Sequence, residues 1–261
     1  MRESLLEMLR CPACLSVDLK LEATASDERE VREGALLCKV CGRGYPIAGG
    51  ILDLLYDPNP TVRQEREAVH KIDQPRDQWQ PDAERDEFEH RALLSLPYGL
   101  DDPAFRVEGS YWWNVSALGP CFDEMLSFLR IPEGSHILEV GADLCWAVYR
   151  LSQRGYQCVA LDITNHLTVG DHYLQDAGVY FDRVLADMNE LPFRDKAFDV
   201  VLAIAAMHHT TTLRETLAGC ARVLRAGGRL VLYNEPFRDH APSAEFVFGE
   251  AERELGINEC W

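Results

Sequence analysis

No apolar run in this 261-residue chain approaches the roughly 18 residues that a bilayer-spanning helix needs, so no transmembrane segment is expected. The first turns carry Arg2, Glu3, Glu7 and Arg10 in place of an apolar stretch, which counts against a signal peptide. Positive charge is also in short supply. Lys and Arg total 26 against 43 Asp and Glu, for a net charge of −17, and lysine contributes only 4 of the 26. Residues 1–60, 61–110 and 111–261 each carry an acidic excess, and no basic stripe interrupts it. Binding to nucleic acid draws most of its affinity from neutralised phosphates, so this charge makes nucleic acid an unfavoured partner. With 47% hydrophobic and 26% charged residues the chain is otherwise an ordinary globular protein.

Cysteine is unevenly placed. Four of the nine fall near the N-terminus as two C-x2-C pairs, Cys11/Cys14 and Cys38/Cys41. The others, Cys121, Cys145, Cys158, Cys220 and Cys260, are scattered, and the odd total suits a reducing, cytoplasmic compartment. Each pair can form a tight turn that offers two thiolates to one ion, and four sulfurs close a tetrahedron around structural zinc. The spacer between the pairs has room for a hairpin, with strands at Leu19–Ala23 and Ala35–Leu37 and a loop at Ser26–Glu33. A redox dithiol would call for a βαβ setting that is missing here. A module this short needs the metal to fold, and a site filled by four thiolates has no open position for catalysis. The stretch CPAC followed by LLCKVCGRGYPIAGGILDLL resembles the zinc ribbon of the small activator proteins of tRNA and protein methyltransferases. A similar ribbon is fused to some bacterial methyltransferases, including rRNA guanine methyltransferases. The resemblance covers about residues 7–56 and implies a fold and a metal, not a reaction.

From residue 58 the chain turns polar and rich in proline, with helices expected at Thr61–Lys71 and Asp82–Leu94. The cluster Tyr111-Trp112-Trp113 is either a core or lid anchor or a wall of a ligand pocket.

Beyond residue 136, short apolar runs alternate with helical stretches, the pattern of βαβ units and a parallel sheet. Strands are expected at Ile137–Val140, Gln157–Leu161, Arg183–Leu185, Asp199–Ala203 and Arg229–Tyr233. Helices are expected at Pro120–Leu129, Trp146–Gln153 and Leu213–Leu224, the last stopped by Ala226-Gly227-Gly228. Such sheets bind ligands at the carboxyl ends of their strands. Collected there are Glu139, Gly141, Ala142 and Asp143 after the first strand, Asp162 and Ile163 after the second, Asp187 and Met188 after the third, and Ile204 after the fourth. The interval from Gly141 to Asp162 is close to the roughly 20 residues that separate a nucleotide-binding turn from its ribose-binding carboxylate. Asp187 and Met188 suit an adenine amino group and its ring.

HILEVGAD, VALDI, LADMNELPFRDKAFDVVLAIAAMHHT and ARVLRAGGRLVLYNEP, in that order, resemble the motifs of class I S-adenosylmethionine-dependent methyltransferases. The wording is nearest to the small-molecule enzymes related to quinone and sterol C-methylation. The resemblance spans about residues 110–236. It implies an α/β, Rossmann-like, mostly parallel sheet flanked by helices, with S-adenosylmethionine as cofactor. The implied organisation is a zinc-ribbon module at residues 1–57, a helical linker or lid at 58–110 and a methyltransferase domain at 111–261. A dehydrogenase would show G-x-G-x-x-G, whereas this turn has one glycine among acidic residues that would repel a pyrophosphate. Two departures stand out. Asp143 and Cys145 occupy the second and third glycine positions of the first motif. The stretch after Tyr233, positions 234–261, leaves little room for the family's last two strands. A fragment of a longer chain is the expectation there, with a helix at Phe246–Leu255. His208 and His209, at the end of the fourth strand, are candidate bases for a protonated acceptor or else shape the pocket. Glu235 faces the acceptor or is a loop carboxylate. Methyl transfer to a small-molecule acceptor by in-line displacement is the main functional expectation. RNA methylation with the ribbon as a grip, and a non-catalytic binding or scaffold role, are the alternatives. The ribbon is also a candidate docking site for a protein partner.

Overall fold

The computed structural model describes residues 1–58, 60–77, 83–106 and 111–235. Five runs rich in Val, Ile, Leu and Ala form a parallel sheet: β5 (His136–Val140), β6 (Gln157–Asp162), β7 (Asp182–Leu185), β8 (Phe198–Ile204) and β9 (Leu224–Tyr233). Their order is β7-β6-β5-β8-β9, so the chain reverses direction of progress at β5. A parallel sheet is covered on both faces, which is why β5 to β8 are almost wholly buried runs and not alternating ones. Helices α5 (Trp146–Ser152), α6 (Gly170–Ala177) and α7 (Leu213–Val223) connect them.

The N-terminal strands β1 (Leu19–Ser26), β2 (Val31–Cys38), β3 (Gly44–Ala48) and β4 (Ile51–Asp53) form an antiparallel meander. This meander is not a separate bead. Strand β4 runs parallel to β7, pairing Ile51 with Arg183 and Asp53 with Leu185, and the Leu54 N–H donates to the Leu185 carbonyl at 2.8 Å. One nine-stranded sheet, β1-β2-β3-β4-β7-β6-β5-β8-β9, therefore runs through both parts. The core is shared as well: Cys11, Cys38 and Tyr45 belong to the same buried cluster as Leu138, Val184 and Phe198.

A buried ionic network closes the junction. Arg183, fully buried, reaches Glu30 at 2.5 Å and also pairs with Asp171. Arg32 bridges the same two carboxylates at 2.7 and 3.1 Å, and Arg2 pairs with Asp182 at 3.1 Å. The Met1 ammonium donates to Glu30 and to the Val31 and Gly50 carbonyls. Buried charges are tolerated only when paired, and here all but the Arg183 Nε find partners in the network, which fixes the register of the two parts more than it adds net stability.

Helices α1 (Pro60–Asp77), α2 (Ala83–Ser95), α3 (Tyr111–Ser116) and α4 (Gly119–Leu129) lie between the meander and β5. No helix among the described residues is long and apolar enough to cross a membrane.

Several sequence expectations need correction. The hairpin strands β1 and β2 are longer than Leu19–Ala23 and Ala35–Leu37, leaving only residues 27–30 as a loop; Asp27 accepts from the Arg29 and Glu30 N–H groups and tightens it into a turn. Helix α1 continues past Lys71 to Asp77. Helix α6 had no strong sequence signal. Ala226-Gly227-Gly228 does not simply stop α7. Leu224 already pairs with Phe198 and Arg229 with Val200, so the glycines form a bulge within β9, with Gly227 at φ +81°. The expected helix at Phe246–Leu255 lies outside the described residues, as does the Asp82 cap.

Candidate functional site

At the metal-ligand candidate, two turns bring the four sulfurs of Cys11, Cys14, Cys38 and Cys41 within 4.8 Å of one another. Leu15 adopts a left-handed φ of 61° so that Cys11 and Cys14 face the same point, and Gly42 does so at 72° in the second turn. Cys11 Sγ lies 3.7 Å from Cys41 Sγ, and Cys14 Sγ lies 3.5 Å from Cys38 Sγ. Burial opposes charge on Cys38, but N–H groups of Cys41 and Val40 and the neighbouring thiols hold its pKa down to about 7. The Tyr45 hydroxyl touches Cys11 Sγ at 3.1 Å and packs the cluster onto the sheet. Four thiols converging without disulfide spacing make a cluster compatible with zinc.

The second site is a cavity of about 420 Å³ at the carboxyl ends of β5, β6 and β8. Its floor is the turn after β5. Gly141 stands at φ +72°, and a Cβ there would collide with the Ala206 Cβ, so only glycine fits. Asp143 and Cys145 take φ of 43° and 65°, the left-handed shape for which glycine is the usual choice. Side-chain contacts hold Asp143 there. Its Oδ1 meets His166 Nδ1 at 2.6 Å, its Oδ2 accepts from the Tyr111 hydroxyl at 2.9 Å, and its N–H donates to Asp162 Oδ2 at 2.9 Å. Asp162 Oδ1 accepts from both the N–H and the hydroxyl of Thr164 at 2.8 Å. Glu139 accepts from the Val148 N–H at 3.1 Å.

Three carboxylates thus converge at the floor, Glu139 and Asp162 buried and Asp143 partly exposed. Burial, and then the charges of Asp162 and Asp143, push the Glu139 pKa well up, while the Val148 N–H opposes them. Burial and Asp143 push Asp162 up against its hydrogen-bond donors. Glu65 adds a fourth carboxylate from α1. Among the described residues that line the cavity there is no lysine or arginine. A group with positive charge is what this lining can accept.

Of the residues proposed from sequence for the cofactor, Glu139, Gly141, Ala142, Asp143, Asp162, Ile163, Met188 and Ile204 line the cavity. Asp187 does not: its carboxylate accepts from Asn189 N and Nδ2 at 2.8 and 2.6 Å and caps the short turn Met188–Glu190. The two histidines separate. His209 lines the cavity, with Nδ1 3.1 Å from Glu65 Oε1. His208 sits behind it, its Nδ1 2.9 Å from Glu235 Oε2. Glu235 is not a solvated loop carboxylate. Its side chain is 4% exposed and accepts from the Ala206, Met207 and His208 N–H groups. Burial would raise its pKa, but His208 and the Met207 and Ala206 N–H groups bring it below the usual range.

Sequence reasoning missed Glu65, Val69, Asn114, Trp146 and His166, all of which line the cavity. Glu65 sits on a helix with many charged residues, and nothing in the pattern distinguishes it. Tyr111 of the aromatic cluster is a pocket wall, while Trp112 packs edge-on against Phe88 at 6.4 Å. Cys145, Cys158 and Cys220 are buried core residues.

The family model for a methyltransferase domain matches residues 138–232, and that for Trm112p-like proteins matches residues 2–50. Demethylmenaquinone methyltransferase of Mycobacterium marinum is 31% identical over 106 residues, which is 41% of this chain and 44% of that protein. Sterol 4-C-methyltransferase strm-1 of Caenorhabditis elegans is 27% identical over 110 residues, 41% of this chain and 33% of that one. The chain thus spans less than half the length of either relative. The crystal structure of YcgJ from Bacillus subtilis aligns with a TM-score of 0.41 at 25% identity, covering 42% of this chain and 48% of that one. With its motifs, its switch-point cavity and its cysteine cluster in these places, the chain carries a methyltransferase domain of the class I S-adenosylmethionine-dependent kind, preceded by a Trm112p-like domain.

Proposed function

We propose that the protein transfers a methyl group from S-adenosylmethionine to a small, mainly apolar acceptor of the quinol or sterol type. The observation that carries this reading is a cavity at the carboxyl ends of the strands, lined by Glu65, Glu139, Asp143 and Asp162 and by no lysine or arginine among the described residues. A ligand with a sulfonium and an ammonium offsets the mutual repulsion of those groups, whereas a pyrophosphate adds to it. Asp162 would hold the ribose hydroxyls, Met188 and Ile163 would flank the base, and the Asp143 turn would face the methionine end. The cofactor supplies an activated methyl group, and the chain's own task is to align the acceptor and exclude water. The relatives named for demethylmenaquinone and sterol support the acceptor class. So do the apolar walls that Val69, Val115, Leu118 and Trp146 provide.

The ribbon's role, in this reading, is to hold one structural zinc ion on Cys11, Cys14, Cys38 and Cys41 and to brace β7 in cis. RNA binding gains no support. Arg2, Arg32 and Arg183 are spent on carboxylates at the junction, and Arg194 on the carbonyls of Leu6, Leu9 and Val17. We also place the protein in the cytoplasm, a reading that the eight free cysteines among the described residues support.

Calorimetric titration of the zinc-loaded protein with S-adenosylmethionine and S-adenosylhomocysteine tests the reading. Micromolar binding that disappears in Asp162→Ala is the expected result. A folded, zinc-loaded protein that binds neither compound would overturn it.

A further inference from the structure

Two histidine–carboxylate pairs stand side by side at the end of β8, with ring centroids of His208 and His209 4.2 Å apart. They differ in where they face. The His208–Glu235 pair is built into the turn that closes the strand. Glu235 is occupied by three backbone N–H groups, and neither residue lines the cavity. The His209–Glu65 pair does line it. Glu65 comes from α1, far earlier in the chain than His209, and α1 presents Glu65 and Val69, one turn apart, to the same cavity. The Glu65 side chain is only 10% exposed. A carboxylate is seldom withdrawn from water to this extent unless a partner compensates it.

We propose that Glu65 is a positioning residue for methyl transfer: it holds His209 as the general base for an acceptor that arrives as a neutral hydroxyl, a phenol or hydroquinone. This inference rests on the methyltransferase reading above and extends it to the acceptor's protonation state. His209 Nδ1 lies 3.1 Å from Glu65 Oε1, and with that nitrogen turned to the carboxylate the basic lone pair of the ring is assigned to Nε2. In the reaction the acceptor's O–H proton passes to Nε2. The electron pair of the acceptor forms the new bond to the methyl carbon, directly at oxygen or at the activated ring carbon. The carbon–sulfur bond breaks with its pair retained on sulfur. For attack at a ring carbon, the proton on that carbon then leaves to solvent as the hydroxyl recovers its own. The imidazolium formed at His209 lies against the Glu65 carboxylate, which stabilises it. Among the described residues, the other charged or titratable groups around the pair include Asp187, within electrostatic reach of Glu65, and His208 with Glu235 behind it. In this proposal, the adjacent Glu65 carboxylate is the group that favours proton uptake at His209.

A bland alternative is that the contact only fastens α1 to the α/β domain. The two are separated by a pH profile, which a fastener leaves in place. The test uses the full zinc-loaded chain, S-adenosylmethionine and 1,4-dihydroxynaphthalene as the acceptor probe. Methylated product and S-adenosylhomocysteine are quantified across pH for the wild type, Glu65→Gln, Glu65→Asp and His209→Asn. Each protein is also titrated with the cofactor in a calorimeter. The wild type is expected to methylate the probe, with kcat/KM rising with pH through the titration of His209. In Glu65→Gln, cofactor binding should persist while the plateau falls about tenfold or more. Its rising limb should move about one unit toward lower pH, because the lost carboxylate no longer favours the imidazolium. Glu65→Asp should recover part of both effects, and His209→Asn should lose the limb and about 10²–10⁴ in rate. A slowed Glu65→Gln enzyme whose limb has not moved overturns the proposal, and so does a cofactor-binding wild type that leaves the probe unmethylated. A wild type that binds no cofactor instead overturns the reading beneath it. In that case, NMR titration of the His209 ring still decides the pair: an unchanged titration in Glu65→Gln sinks it.

Discussion

Two regions of this molecule gather groups that repel one another when charged. In the ribbon they are four thiols within 4.8 Å, and in the cavity they are the carboxylates of Glu139, Asp143 and Asp162. Both arrangements ask for a cation, but they are built differently. The cysteine cluster is made by two local turns, each supplied by one closely spaced pair, so its geometry is written in the spacing. The carboxylate floor is assembled from the ends of separate strands, β5 and β6, and its walls come from helices α1 and α3 far earlier in the chain. A local site of this kind, on the zinc reading proposed above, draws on its ion for its fold. The composite site has its fold already and only tolerates its repulsion until a ligand arrives.

That difference can be broken most forcefully at the cysteines. Chelation of the metal, or Cys11→Ser combined with Cys38→Ser, should remove the larger part of the ribbon's stability, since structural zinc contributes on the order of 10 kcal/mol in isolated fingers. Because β4 is hydrogen-bonded to β7 and the core is shared, the loss should not stay local. Thermal melts should show a lowered transition for the whole protein, and cofactor affinity should fall with it. Independent melting of the ribbon, with cofactor binding intact, would show that the joined sheet does not couple the two parts. In the cavity the corresponding change is Asp162→Ala. It should cost cofactor affinity about tenfold to a hundredfold, the range for a charged hydrogen-bonding group, while leaving the melt of the apo protein within a few degrees. Calorimetry and differential scanning on the same sample separate the two effects.

The same contrast explains what the sequence made legible. Parallel strands β5 to β8 read clearly because both sheet faces bury apolar runs, and the cysteine pairs read clearly because their ligands are neighbours. Glu139, Gly141 and Asp162 could be placed from strand ends alone. The contact of β4 with β7 could not, since Ile51-Leu52-Asp53 is too short to signal a partner as distant in the chain as Arg183–Leu185. Nor could Glu65: a carboxylate on a charged helix face becomes distinctive only when the fold sets it against His209. Asp187, assigned to adenine from its position after β7, also caps a helix-initiating turn through Asn189, a contact that its strand-end position does not foretell.

A subtler way to test the floor is pH. Burial keeps the Glu139 pKa above its ordinary value, so the folded chain holds that proton more tightly than the unfolded chain does. Between the ordinary carboxylate range and the raised folded value, the folded state binds the extra proton, and stability therefore declines as pH rises through this window. Above it the decline stops. In Glu139→Gln the amide still accepts from the Val148 N–H, so the fold is retained and this part of the pH dependence should vanish. The comparison is made on apo protein by thermal or urea melts at several pH values. Identical slopes for the two proteins would mean that Glu139 is ionised in both folded and unfolded states and that the floor is better solvated than its burial indicates.

The smallest effect is expected where the chain departs most visibly from its family's glycines. Cys145 stands at φ 65°, a conformation that costs a non-glycine residue roughly 1–2 kcal/mol. Its side chain is fully buried in the core beneath the cavity, and removing the CH2–SH group forfeits packing worth about 1–2 kcal/mol. Cys145→Gly trades these against each other, so the melt should move by no more than a few degrees, and the cofactor, which on the proposed reading meets the turn from the cavity side, should bind as before. Asp143→Gly is different. It relieves the same kind of strain but releases His166 and the Tyr111 hydroxyl, the tie that holds α3 over the cavity. Tyr111→Phe breaks half of that tie without touching the backbone. If Asp143 serves mainly as a latch, both variants should weaken cofactor binding to a similar, modest degree, about threefold to tenfold for one hydrogen bond to a charged group. If it serves mainly as a contact for the ligand's ammonium, only Asp143→Gly should do so, and calorimetric titration of the pair tells the two roles apart.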